Sequence, residues 1–222
     1  MLHYTFGDFM KNFLEELEKP KTARGKARYE EILSAAHKLF LEKGFERTSI
    51  NEIVKEAGGS MATAYRWFQN KETLFIVVFL RSTELVSGKI REEIGDPKTV
   101  REAFRELLER LFDASVFLAD VEKKRPFFSE MLQLKTFHDV AIHQLNKCLV
   151  EPFQEALQKI EARFPICFRL GVEETARTII RFTRCLLMEF VMSPQTWGEW
   201  CPYAIQESLN LMMVLIEERK EK

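Results

Sequence analysis

The sequence predicts an all-α protein in two parts, a small three-helix head followed by a larger helical body. Three observations carry this reading. Apolar residues recur at three- and four-residue spacing along most of the chain, and no stretch alternates in the way a strand does. Near the N-terminal quarter, two short helical segments are joined by Gly58-Gly59. The last fifty residues hold two segments that are apolar around much of their circumference.

The residues justify each element in turn. Asp8 can cap a helix whose Phe9, Met10, Phe13, Leu14 and Leu17 lie on one stripe. A helix that short is marginal alone, so the stripe either docks on its own domain or on a partner, or the segment is an unstructured tail. Pro20 to Arg28, PKTARGKAR, reads as a polar basic linker, either a solvated joint or an arm that reaches phosphates. Residues 1–27 are therefore set apart as an extension. Tyr29 to Lys43 is a helix with Ile32, Leu33, Ala36, Leu39 and Phe40 inward and Gly44 as its stop.

Thr48 or Ser49 caps the next helix, and Glu52 three residues after Ser49 completes a capping box. Ile50, Ile53, Val54 and Ala57 form its buried face, and Gly58-Gly59 ends it because glycine enters the left-handed region without a Cβ clash. Ser60 caps a second short helix. Two such helices around a glycine turn make a helix-turn-helix, whose second helix presents its start to a DNA major groove.

Lys71 to about Glu93 is a long helix, stopped by Gly95-Asp96-Pro97, and Pro97 is expected to open the next one, which runs to about Val121. Pro126 starts a brief aromatic helix, PFFSEMLQLK. Phe137 to Arg163 follows, with a kink expected at Pro152 at a cost of about 3 kcal/mol. Phe164 to Gly171 is a loop, and the final helices are 172–192 and 202–219. Their apolar breadth implies burial on two sides. The domain division expected from these elements is 28–74 for the head and 75–222 for the body.

Composition narrows the function. With 222 residues, 46% hydrophobic and 30% charged, the chain can build a packed core and remain soluble. No apolar run is long enough to span a membrane, and the N-terminus lacks the order of a signal peptide, so the expected compartment is the cytoplasm. Net charge is −1, yet residues 20–75 carry ten basic groups against seven acidic ones. A basic head on an acidic body suits phosphate binding at one end. Cys148, Cys167, Cys185 and Cys201 read as reduced, buried thiols, and the histidines do not stand at zinc-ligand spacing from them, so neither metal nor cofactor is expected. His138 and His143, five residues apart, share no helix face, and no nucleophile or acid stands beside them in a recognisable pattern. No catalytic residues are expected, and an enzyme is the weaker reading. A helical scaffold without DNA would leave the Tyr65-to-Lys71 pattern unexplained.

Two segments carry a family likeness: IL-x-AA-x-x-LF-x-x-x-GF-x-x-TSI-x-x-I at 32–53, and EAGGS-x-ATAYRWF-x-NK-x-x-L at 56–74. With them the chain resembles the tetracycline-repressor (TetR) family of bacterial transcription regulators, from about Tyr29 to Phe75. One departure is Gly59, where the family usually holds an apolar residue that packs between the two helices, so the turn is expected to be looser. The resemblance implies that Ser60, Met61, Ala62 and Thr63 face base edges, Thr63 by a hydrogen bond and Met61 and Ala62 against thymine methyl groups. It implies phosphate contacts for Thr48, Tyr65 and Lys71, with Ser49 beside them and Arg66 reaching either target.

The family also pairs its last two helices with their two-fold mates, which implies a homodimer through 172–192 and 202–219 and a near-palindromic DNA operator. A small-molecule effector that releases DNA is implied as well. Candidate lining residues are Phe128, Met131, His138, His143, Asn146, Arg181, Arg184 and Cys185, polar or soft groups set among apolar ones. The wealth of Phe and Met favours an apolar or aromatic effector. The expected function is a ligand-responsive DNA-binding regulator acting as a repressor.

Overall fold

The computed structural model describes residues 17–112 and 146–219, and the statements that follow concern those residues. They form two compact units, 17–81 and 82–112 with 146–219. The division falls after Arg81, inside a helix, and not at Leu74 as the sequence suggested. The expected helices at 8–17 and 126–135 lie outside the described residues, as do the end of the helix from Pro97 and the start of the one from Phe137.

In the first unit, α1 spans Ala23–Lys43. Thr22 caps it by accepting the Gly25 N–H, so the basic stretch expected to be a linker is the helix's opening turns. Its buried stripe is Ile32, Leu33, Ala35, Ala36, Leu39 and Phe40, and Gly44 ends it at φ 81°. Helix α2 (Ile50–Ala57) begins with the expected capping box, in which Ser49 and Glu52 satisfy each other's free N–H groups. Gly58 stops it in the left-handed region at φ 67°. Helix α3 (Met61–Phe68) is capped by Ser60. Asn70 then accepts the Thr73 N–H at 2.8 Å and opens α4 (Lys71–Arg91). The core between these helices is aromatic. Phe75 meets Phe40 and Phe45 edge-on, each at 5.1 Å, and Tyr29 stacks on Phe68 at 4.8 Å. Such pairs add to the burial of large rings a geometric preference that selects one packing.

The second unit takes up the remainder of α4 and adds α5 (Val100–Leu111), α6 (Glu151–Arg163), α7 (Val172–Met192) and α8 (Trp197–Val214). Helix α5 starts three residues after Pro97, because Thr99 and Glu102 form a capping box that outcompetes proline as the opening residue. Proline at 152 is not in the interior of an α-helix. It sits in the first turn of α6, after a π-helical turn at Asn146–Val150, where a missing N–H leaves no bond unmade.

Helix α8 begins at Trp197, five residues before the expected Pro202, with Thr196 and Glu199 as its capping box. Pro202 lies inside it and removes the bond that would reach the Gly198 carbonyl. Both residues are exposed, so solvent takes that carbonyl. The fold is all-α, with one addition that no alternation announced. Ile166–Phe168 (β1) pairs antiparallel with Ile216–Glu218 (β2), in the segment expected to be a loop and at the end of the last expected helix. Three residues per strand are too few to show a period of two.

Candidate nucleic-acid interface

One side of α3 is exposed. Ala64, Trp67 and Phe68 are buried, while Ala62, Tyr65 and Arg66 face solvent. The N-terminal turn is held by Ser60, whose hydroxyl accepts the Thr63 N–H at 3.2 Å and lies 2.8 Å from the Thr63 hydroxyl. Met61 and Thr63 are half-buried on its flanks. Tyr65 is 48% exposed, a high value for a tyrosine in so aromatic a head. Arg66 lies over the Trp67 ring at 5.6 Å and meets Glu18 at 3.4 Å, both on the surface.

The remaining candidates are placed less freely. Thr48 is buried, at 2% exposure, and its hydroxyl reaches the carbonyls of Gly44 and Leu39 at 2.7 and 3.2 Å. It ties the end of α1 to the start of α2, and that side chain does not face solvent. Ser49 is exposed, and its hydroxyl is engaged by Glu52. Lys43, followed by the Ser49 hydrogen bonds, lowers the Glu52 carboxyl to about 2. Lys71 stands half-buried above the Phe45 ring, 4.1 Å from its centre, and donates to the Phe45 carbonyl at 2.9 Å. An ammonium has three donors, so this bond aims the Lys71 side chain without exhausting it.

Sequence reasoning passed over Arg28. From α1 it donates to the Ala57 carbonyl at the end of α2 and pairs with Glu31 at 2.7 Å. Its stem runs along the glycine turn. A Cβ placed on Gly59 would stand 3.6 Å from Arg28 Cδ and 3.7 Å from Ile32 Cδ1. The gap left by the family's missing apolar residue is therefore filled by the stem of an arginine from another helix. The signal that could have found it was Gly59 itself, since an unfilled turn in a small core needs cover from somewhere.

The proposed ligand candidates fare differently. Phe128, Met131, His138 and His143 lie outside the described residues, and Asn146 falls in the π-helical turn. Arg181, Arg184 and Cys185 are corrected by helix geometry. They share the outer stripe of α7 with Met188 and Met192, opposite the buried Ile179, Thr183, Leu186 and Phe190. Arg181 there pairs with Glu174 at 3.1 Å. These three face away from the unit's interior.

The four cysteines form no disulfide, and none is fully buried. Cys185 is exposed and the others are half-buried. Burial, then Glu109, pushes Cys201 up to about 11, and burial followed by Glu217 raises Cys167, so neither is a ready thiolate. Among the described residues no cluster of His, Cys, Asp or Glu could hold a metal ion, and no helix is long and apolar enough to cross a membrane.

Comparison with known proteins bears on this geometry. The model of the bacterial regulatory proteins of the tetR family matches residues 32–78, from the middle of α1 to the opening turns of α4. An HTH-type transcriptional regulator of Bacillus subtilis is 28% identical over 172 residues, 72% of this chain and 80% of that one. An HTH-type regulator of Staphylococcus aureus is 47% identical over 58 residues, 26% of this chain and 30% of that one. Two solved structures share the fold. The fatty acid degradation regulator of Bacillus halodurans matches with a TM-score of 0.61 at 22% identity, covering 86% of this chain and 97% of that one. The repressor of a Stenotrophomonas maltophilia multidrug efflux pump matches with a TM-score of 0.60 at 17% identity, covering 89% and 91%. With the tetR-family model matched across its helix-turn-helix and an HTH-type transcriptional regulator similar along most of the chain, the protein is a transcriptional regulator of the TetR family.

Proposed function

We propose that this regulator binds a near-palindromic DNA operator as a homodimer in the cytoplasm, represses from it, and is released by an apolar or aromatic small molecule. The observation that carries the DNA half is α3, which buries Ala64, Trp67 and Phe68 while leaving Ala62, Tyr65 and Arg66 beside a capped N-terminal turn. Thr63 donates to a base edge, and Met61 and Ala62 pack against thymine methyl groups. Tyr65 and Lys71 hold phosphates, Lys71 with the donors its Phe45 bond leaves over, and Arg66 serves either target. Ser49, Ser60 and Thr48 set the backbone that presents them.

Dimerisation is supported by the outer side of α7 and α8, where Met188, Met192, Tyr203 and Val214 remain exposed. Helix α4 belongs in part to each unit, so it is the lever through which an effector would bias the head. Relatives of like fold regulate fatty acid degradation and a multidrug efflux pump, which fits an apolar effector. The reading assigns the chain no catalytic role.

The test is a gel shift on DNA from the protein's own promoter, repeated across salt concentrations. Tyr65→Ala and Lys71→Ala should weaken binding to operator and random DNA alike and flatten the salt slope. Thr63→Ala should instead relax sequence preference. Loss of sequence preference in all three variants would overturn this division of labour, and the absence of salt-sensitive binding would overturn the DNA reading itself.

A further inference from the structure

Trp200 is the largest fully buried side chain of the second unit, at 1% exposure. Its indole lies 5.1 Å from Phe190, 5.1 Å from Trp197 and 5.8 Å from Phe112. The indole nitrogen is a donor only, and no acceptor reaches it. A buried water does not suit this spot well, because such waters settle where two to four polar groups converge. Here the known neighbours are rings. The two other buried polar side-chain atoms without a partner, Thr175 Oγ1 and Ser208 Oγ, belong to the same unit. Ser208 and Trp200 share one buried stripe of α8, with only the small Ala204 between them. Trp197, at the start of α8, is half-buried and forms the side of the cluster nearest solvent.

We propose that the Trp200 indole N–H is a recognition group for the effector, and that the cluster of Phe112, Phe190, Trp197 and Trp200 takes a neutral, planar aromatic compound bearing a carbonyl-type acceptor. This rests on the reading that the second unit binds an effector. The rings offer the stacked and edge-on contacts that suit a flat ligand. The buried Trp200 N–H, a neutral donor without a partner, fixes its orientation and satisfies itself in doing so. None of these four side chains carries a charge, so within the cluster nothing would offset a carboxylate, which is disfavoured.

The test uses the full chain with three probes, 2-acetylnaphthalene, 2-ethylnaphthalene and 2-naphthoate, followed by calorimetry and tryptophan fluorescence. The ketone should bind saturably and more tightly than the carboxylate. In Trp200→Phe the ketone should weaken about tenfold, while 2-ethylnaphthalene, which has no acceptor, changes by less than about twofold. A second readout is the indole N–H resonance that disappears in Trp200→Phe. In the wild type it should move downfield when the ketone is added. Equal binding of the ketone by both proteins, an unmoved resonance at saturation, or no saturable binding of the ketone would each overturn the proposal. A gel shift on promoter DNA keeps the two readings apart. If DNA binding stands while the ketone result fails, only the recognition group is lost, and if DNA binding fails, the regulator reading fails with it.

Discussion

The head and the body satisfy their polar groups in opposite ways. Among the described residues of the head, no buried side-chain polar atom is left without a partner; buried Thr48 bonds two carbonyls, and at the surface Ser49 and Glu52 close a reciprocal box. Arg28 and Lys71 add bonds to the carbonyls of Ala57 and Phe45, groups outside regular helix pairing. The body, larger and also holding an aromatic cluster, leaves Thr175, Trp200 and Ser208 without one. Each such atom costs about 1–3 kcal/mol of lost hydration. The difference teaches which part is finished by its own chain. On the proposed reading, a head that reads DNA has to hold one shape before DNA arrives, whereas a body that takes an effector would be completed by it.

The largest test of the head's self-sufficiency is Phe40→Ala. Phe40 is fully buried and packs on both Phe45 and Phe75, so the variant should lose about 3–5 kcal/mol and its DNA binding. Denaturant unfolding would show this as an early transition of the head alone. A single shifted transition for the whole chain would mean that head and body are not separate in stability.

A smaller effect, about 1–2 kcal/mol, is expected from Arg28→Ala, which uncovers the glycine turn and frees the Ala57 carbonyl. Operator affinity should fall with base preference unchanged, measured by competition between operator and random DNA. A change in preference would make Arg28 a base-reading residue and not a clamp.

The two turn glycines should then move in opposite directions. Gly59 has no positive φ, and a methyl group there meets neighbours only at ordinary contact distances, so Gly59→Ala should stabilise the head by about 0.4–1 kcal/mol. Gly58→Ala, at φ +67°, should destabilise it by about 1 kcal/mol. Thermal melts of the two variants decide this, and a destabilised Gly59→Ala would show that the Arg28 stem leaves no room.

The mildest expectation concerns acid. Glu52 titrates at about 2 in the folded head, against 4.5 for an unperturbed glutamate. Its folded value is depressed, so its contribution is present in full above about 4.5 and is lost as pH falls from there toward 2. The head's melting temperature should show a Glu52 component in that window which Glu52→Gln removes. A Glu52→Gln profile that coincides with the wild type would dissolve the assignment.

Much of the head was legible. The capping box at Ser49 and Glu52, the left-handed Gly58 and the Ser60 cap are all interactions within four residues, and the pattern of residue types is enough to read them. The body was legible in its helices and misread at their ends. Pro97 and Pro202 drew the expected starts, while Thr99 and Thr196, each with a glutamate three residues on, set the real ones. The ribbon of Ile166–Phe168 with Ile216–Glu218 joins segments fifty residues apart, and nothing local announces such a pairing.

The sequence alone determined the helical class and the helix-turn-helix, because a helix's period and its caps are written within one or two turns. Only the tertiary structure decided which side of α7 faces inward, which put Arg181, Arg184 and Cys185 outside. It alone showed that Arg28 fills the place of a missing side chain at Gly59 and that Trp200 is buried without an acceptor. The reason is physical: periodicity states that a face is apolar, but the partner that covers it, or fails to, comes from residues distant in the chain and near only after folding.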